Sequence, residues 1–407
     1  MKLLKTLIVT IFILFPFGEL LRFDIGNNVV IKPLDLVVGL IIACWIFLKS
    51  RKVQSYSSKL KVTAGKNIFF AVIAFSLIGL LSLSFNLNWL KPQEFFVSSF
   101  YLLRWVAYAG MFFVISQFDK KFKKLIIIFS FIDGLLILFF GYLQYFFYNS
   151  LKNLYYLGWD DHMHRMFSTF LDPNFTGGFL VLYFLLTAGI IQRRLQNKKG
   201  KHIVLLSLVL ILTLIGIFLT FSRSALLMLI FGVITFLILI NKKKLIFLLL
   251  AIILLFGIVV SPKFYDENMN LFRQASGNAR LGNYTVALRI IQDRPLLGVG
   301  FNSYRYTKNL YGLDHDWTNV PSHADAGVDN SFLFVLATTG IVGLSAYIYL
   351  WYLILRKSFN VYKKNIFAVV VISSSVGLFI NALFINSLFF APFMLWMWII
   401  IGLMQDD

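Results

Sequence analysis

Long apolar runs constrain this chain more than any other feature of its sequence. Twelve of them fall near 3–21, 29–48, 67–85, 95–117, 123–148, 175–192, 203–220, 224–240, 245–261, 329–355, 365–384 and 387–404. A hydrocarbon core about 30 Å thick is crossed by roughly 20 helical residues. Inside it, only helices and closed barrels satisfy every backbone donor and acceptor. The runs therefore predict an all-α polytopic membrane protein with about twelve transmembrane helices. Composition agrees: 59% of the 407 residues are apolar, against about 45–50% in a soluble domain. An ordinary soluble enzyme is excluded.

The net charge of +20 would point to nucleic acid in a soluble chain, so the placement of the charges decides its meaning. They fall in alternate connections: Lys2 and Lys5, Lys49 to Lys66, Lys120 to Lys124, Arg193 to Lys201, Lys242 to Lys244, and Arg356 to Lys364. These hold 24 of the 38 basic residues, and the only acids on that side are Asp119, Asp406 and Asp407. Strict alternation of this kind is the positive-inside pattern. It predicts a multi-pass membrane protein with both termini cytoplasmic, a lipid bilayer as its surroundings and no nucleic-acid partner. The amino terminus has no small-residue cleavage site after its apolar run and reads as the first span. Cys44, the single cysteine, excludes an intrachain disulfide.

The chain divides into three regions: residues 1–261 with spans one to nine, an extracytoplasmic loop domain at 262–328, and residues 329–407 with spans ten to twelve. The cytoplasmic loops are short basic tethers, so function is expected on the other side. There, the segments 149–174 and 262–328 hold His162, His164, His315 and His323, four of the five histidines. A loop as long as the second, and rich in aromatic residues, is an ordered functional element.

Several groups on that side have chemical meaning. Arg104 lies inside the fourth span, where a guanidinium costs at least ~2.5–3.5 kcal/mol and so faces a bundle interior or a wet cavity. Tyr101 and Tyr108 share its face. It is either a structural cation held by ring faces and carbonyls or a ligand for an anionic substrate. In Thr220-Phe221-Ser222-Arg223-Ser224, either serine can cap the eighth helix, which brings free amides and Arg223 to one point. That is an anion site by dipole, hydrogen bonding and charge, although an arginine snorkelling to headgroups reads equally well. Asp172-Pro173-Asn174 opens the sixth span with a cap and a first-turn proline; capping leaves Arg165, seven residues upstream, unexplained. Asn278 to Gln292 reads as an amphipathic helix with Leu281, Tyr284, Leu288 and Ile291 on its apolar face. Arg280 flanks that face, Arg289 is opposite, and Arg280 precedes Arg273 and Arg294 as an anion ligand. Asp314, His315, Asp316, His323, Asp325 and Asp329 gather before the tenth span. Histidine is the usual general base, no metal-ligand spacing is present, and Asp329 or Asn330 can cap the tenth helix.

Taken together, five stretches resemble the O-antigen ligase and polymerase family of membrane glycosyltransferases. They are Gly18-Glu19-Leu20-Leu21-Arg22 with Asp35; Arg165 with Asp172-Pro173-Asn174; Phe221-Ser222-Arg223-Ser224-Ala225; Asp293-Arg294-Pro295-Leu296-Leu297-Gly298-Val299-Gly300; and Asp329-Asn330-Ser331-Phe332-Leu333 leading to Thr339-Gly340-Ile341-Val342-Gly343. The resemblance implies a glycosyltransferase-C-like bundle with one large extracytoplasmic loop between spans nine and ten. Its donor would be an oligosaccharide on undecaprenyl pyrophosphate and its acceptor a glycan or lipid hydroxyl, with no metal, cofactor or nucleotide sugar. It makes Arg223 and Arg280 pyrophosphate ligands, with Arg165 and Arg104 behind them and Ser222 and Asn330 in support.

Family ligases that load lipid A-core carry a histidine before this asparagine, where this chain has Asp329. Either Asp329 is the base, or His323 folds back to it, or activation differs with the acceptor. The Asp-Asn pair favours a polymerase of O-antigen or exopolysaccharide repeat units, and a polymerase leaves room for a chain-length regulator as partner. A ligase is the first alternative. A flippase or transporter for the lipid-linked unit is the second, but it would spread charge along a path through the bilayer instead of gathering it at one face.

Overall fold

The computed structural model describes residues 1–24, 30–51, 65–198, 200–247, 251, 255, 275–310 and 327–404. Apolar helices stand where eleven of the twelve runs predict them. They are α1 (Lys2–Leu14), continued by a 3-10 turn to Leu20; α2 (Pro33–Arg51); α3 (Lys66–Phe85); α4 (Pro92–Ser116); α5 (Lys120–Phe147); α6 (Pro173–Gln196); α7 (Ile203–Leu219); and α8 (Arg223–Leu239). After α9 (Ala275–Asp293) and the short α10 (Tyr304–Leu310) come α11 (Ser331–Val361), α12 (Ile366–Ala382) and α13 (Ala391–Leu403). Seven of the described helices are long and apolar enough to cross a membrane alone, and α7, α8, α12 and α13 are shorter. The expected ninth span, 245–261, falls largely outside the described residues, as does the charged run with His315, His323 and Asp325. One element is not helical: between α1 and α2, β1 (Phe23–Asp24) and β2 (Val30–Ile31) pair antiparallel, Phe23 opposite Ile31.

The bundle is assembled around α12 and α13. Every residue of α13 is buried, as a helix apolar on all sides must be when it fills a core. Helix α12 packs on α8, α6, α11 and α13, and α13 packs on α4. Helices α12 and α8 approach closely: a Cβ on Gly377 would stand 2.8 Å from the Met228 carbonyl oxygen. Small residues at such crossings let apolar helices gain dispersion contact without a hydrophobic drive. The outer helices instead leave Leu36, Leu40, Leu77, Leu81, Phe139, Leu208 and Ile211 exposed, a surface suited to lipid.

Helix α11 is broken at Gly340, with φ +65° and ψ −171°, a conformation open in practice only to glycine. The break frees backbone groups that the segment after α9 takes up. Val299 N donates to Ala337 O (3.0 Å), Gly300 N to Thr338 O (3.1 Å) and Ile341 N to Pro295 O (2.9 Å). From α3, Ser82 Oγ donates to Leu297 O and Thr338 O, and Asn86 Nδ2 to Gly298 O. The glycine-containing stretches 293–300 and 339–343 are thus two halves of one joint. It carries the chain from α9 into Phe301 and Asn302, which line a cavity at the end of the bundle.

Helix α9 lies on α11 as an amphipathic helix should, but with a different face inward. Ala287 and Ile290 are fully buried with Tyr284 and Ile291 beside them, whereas Leu281 is 62% and Leu288 48% exposed. This corrects the expected apolar face. The small side chain of Ala287 and the polar tips of Asn283 and Tyr284 fit closely against α11, and the leucines turn outward. Arg280 remains on the inward side and Arg289 on the exposed one.

Candidate active site

Three helices begin at one end of the bundle, each with a side-chain cap. Asp172 Oδ1 accepts from Asn174 N (2.6 Å) and Phe175 N (3.1 Å) at α6. Ser222 Oγ accepts from Ala225 N (3.3 Å) at α8, and Asn330 Oδ1 from Phe332 N (2.9 Å) and Leu333 N (3.1 Å) at α11. Asn330 is the cap, so the neighbouring Asp329 carboxylate is not used for capping.

Arg165 locks two of these termini together. It is buried, its Nε donates to Thr220 O at 2.9 Å, and one terminal nitrogen reaches Phe221 O (3.4 Å) and Asn174 Oδ1 (3.5 Å). Ser222 Oγ donates to the same Asn174 oxygen at 3.0 Å. Phe221 is held at φ +47°, a left-handed conformation costly for an aromatic residue, and the arginine fixes both flanking carbonyls. Arg165 therefore shapes the turn that presents Arg223 and does not itself line the cavity.

A cavity of about 650 Å³ opens at this end. Of the sequence-predicted residues it brings together Arg280, Arg104 and Asp329 with Asp172 and Asn174. Arg223 opens α8 nearby, close enough that the charge of Arg280 acts on it. Asp329 meets α9: Asn283 Nδ2 donates to its Oδ2 (3.4 Å), and the Tyr284 hydroxyl lies between its backbone oxygen (3.1 Å) and that of Leu383 (2.5 Å). Burial pushes the Asp329 carboxyl above the usual carboxylate range, and the charge of Asp172 adds to this. Arg280 and the Asn283 amide pull it the other way. A carboxylate moved toward neutrality beside a cation is suited to accept a proton.

The cavity also collects residues that the sequence reading did not place there. Arg22, Lys32 and Arg305 add cations, and Glu19 and Asp160 acids. His162 contributes an imidazole, with Nε2 3.9 Å from Asp172 Oδ2. Asn386 lines the cavity too, and its buried Oδ1 has no hydrogen-bond partner among the described residues. Tyr156, Trp159, Trp105, Phe389 and Phe390 supply ring faces. Arg104 is both ring-held and cavity-facing. Its guanidinium lies 5.7 Å from the Tyr101 ring and 5.8 Å from the Tyr108 ring, and its Nε is 3.0 Å from Asp35 Oδ1. Arg294 stands over Trp89 at 4.7 Å, outside the cavity. Glu19 and Arg22 stood in one of the stretches that carry the resemblance, whereas nothing singled out Lys32, which meets Glu19 through the hairpin between α1 and α2.

A helical bundle of this kind, with a cavity lined by charged side chains and rings at the helix ends, defines a polytopic membrane protein. Residues 208–348, from α7 into α11, match the family model described as O-antigen ligase, a stretch of about a third of the chain. It contains Arg223, Arg280, Asp329 and the joint at Gly340. The matched stretch is similar to O-antigen ligase domains, which supports a membrane glycosyltransferase of that type. No curated protein matches the chain.

Proposed function

We propose that the protein polymerises undecaprenyl-pyrophosphate-linked oligosaccharide repeat units at the outer leaflet of a bacterial cytoplasmic membrane, both termini being cytoplasmic. The observation that carries this reading is the grouping of Arg280 with Asp329 in one cavity and with Arg223 beside it. Two guanidinium groups that act on each other are relieved by an anion placed between them. The leaving group of the transfer is such an anion.

In this reading the acceptor hydroxyl gives its proton to the Asp329 carboxylate as its oxygen attacks the anomeric carbon. The carbon–oxygen bond to pyrophosphate breaks, its electron pair goes to the phosphate oxygen, and the configuration inverts. Arg223 and Arg280 stabilise the charge that develops there. Arginine suits this by permanent charge and bidentate donation, which supports a metal-independent reaction. Arg165 holds the α8 turn, and Asn283 and Tyr284 orient Asp329. The base is assigned to Asp329 and not to His323, since Asn330 takes over capping.

The test is reconstitution in liposomes with the lipid-linked oligosaccharide of the host. A ladder of repeat units that consumes the monomer establishes the polymerase. An unchanged monomer with transfer to an added lipid or protein acceptor establishes the ligase. The Asp329-Asn330 pair, in place of the histidine of ligases acting on lipid A-core, supports the first outcome.

A further inference from the structure

Helix α9 turns two leucines away from the bundle. Leu281 and Leu288 are both exposed and stand two turns apart on one face, and the turn that follows the helix adds Leu296, 66% exposed. Large apolar side chains grouped on one exposed face mark a contact surface. The exposed polar residues of the helix, Thr285, Arg289, Gln292 and Asp293, border the leucines. That is the make-up of a helix lying along a boundary, with one side toward hydrocarbon and the other toward headgroups and water.

What lies beside this face identifies what covers it. Pro295 O and Leu296 O accept from Ile341 N (2.9 Å) and Val342 N (3.3 Å). Ile341 and Val342 follow the break at Gly340, in the part of α11 that continues as an apolar span, and both are exposed. Leu296 therefore stands level with side chains on the lipid-facing side of the bundle. Its other neighbour marks the edge of the hydrocarbon. Arg294 lies 4.7 Å from the ring of Trp89, an exposed residue in the connection between α3 and α4. Phe85 of α3 and Phe96 of α4 are exposed on either side of that connection, and Asn88 and Lys91 within it are exposed too. A tryptophan flanked by cations, between apolar helix surfaces and a polar turn, is the pattern of the membrane–water boundary. The end of α9 thus reaches that boundary, and its leucine face is continuous with the surface that meets lipid.

We infer that α9 is an interfacial helix, with Leu281, Leu288 and Leu296 seated in the bilayer leaflet at the cavity end of the bundle. The inference concerns where the helix lies and needs no transfer reaction, so it stands or fails independently of the ladder assay. Its consequence is that the lipid seat holds Arg280 and Asn283, on the inward side of the same helix, at the level of the headgroups.

The experiment places a nitroxide on the full chain carrying Cys44→Ala, at Leu281→Cys, Leu288→Cys or Leu296→Cys in turn, in liposomes of phosphatidylethanolamine and phosphatidylglycerol. Collisions with oxygen, which concentrates in hydrocarbon, are compared with collisions with a water-soluble nickel chelate. Phe100→Cys, at an exposed position of α4, and Asn88→Cys, in the exposed connection, supply the lipid and water references. The oxygen-to-nickel ratio at all three sites should exceed that at Asn88→Cys by about threefold or more, as for side chains held in the interface. A ratio at Leu281→Cys or Leu288→Cys equal to that at Asn88→Cys puts the face in water and overturns the inference. Protection of either site from both reagents means that a second copy or another part of the chain covers it, which overturns the inference as well. Should the labelled variants fail to reconstitute, the unsubstituted chain is irradiated in the same liposomes with a phosphatidylglycerol carrying a diazirine near the top of one acyl chain. Lipid should then become attached within residues 281–296, and attachment to α3 and α4 with none there overturns the inference.

Discussion

Replacing Arg280 by Gln should lower the rate of transfer and also move its pH dependence, and the two effects together distinguish a ligand of the leaving group from a structural residue. Removing one preorganised donor from a developing anion costs roughly 2.7–4 kcal/mol, or about 10² to 10³ in kcat. Arg223 remains, relieved of the neighbouring charge that now acts on it, so the loss should lie toward the lower end, about 10². Arg280 also holds the Asp329 carboxyl down against burial. Without it the carboxyl titrates higher still. The reactive form of a base is the ionised one, so activity rises with pH through its pKa, and in the variant that acid limb moves to higher pH. The assay is lipid-linked oligosaccharide turnover in liposomes from pH 5 to 8, with variant and wild type matched for insertion. Turnover within threefold of wild type at every pH, or a fall with an unmoved limb, would refute the reasoning.

Asp329→Asn should abolish the acid limb and reduce turnover at least a hundredfold while leaving α11 intact, because Asn330 is its cap; a wild-type profile would mean that another group takes the proton. Gly340→Ala should destabilise the protein by roughly 2–4 kcal/mol, combining backbone strain with overpacking, since the new Cβ would stand 2.1 Å from Leu296 O; tryptophan fluorescence on heating checks it. Arg165→Leu strands the Thr220 and Phe221 carbonyls in a buried site at about 1–3 kcal/mol each, so stability and transfer should fall together, and a stable but inactive variant would instead make Arg165 a substrate ligand.

The helices were largely legible in advance. An apolar run of membrane length has one stable outcome in lipid, and the described helices match the runs to within a few residues at most ends. Caps were legible too, since Asp172, Ser222 and Asn330 are short polar residues standing directly before long apolar stretches. The inward face of α9 was not. Periodicity marks the apolar side of a helix, and in water that side turns inward. In α9 the contacts with Asp329 and Tyr304 decide instead, since Asn283 and Tyr284 must face them. Leu281 and Leu288 therefore face out while Asn283, Tyr284 and Ala287 face in, and Arg280 kept its predicted direction because it flanks either face.

The sequence by itself determined that this chain is a helical membrane protein with its chemistry grouped near certain helix ends, because hydropathy, charge alternation and capping are local or one-dimensional signals. Only the tertiary structure decided which of those groups meet. Glu19, Lys32, Arg104 and Asp35 come from three helices and a hairpin, and Arg280 and Asp329 lie 49 positions apart on α9 and before α11. Contacts over such separations are set by the hairpin between α1 and α2, by the packing of α2 on α4 and by that of α9 on α11, none of which leaves a periodic trace in the sequence.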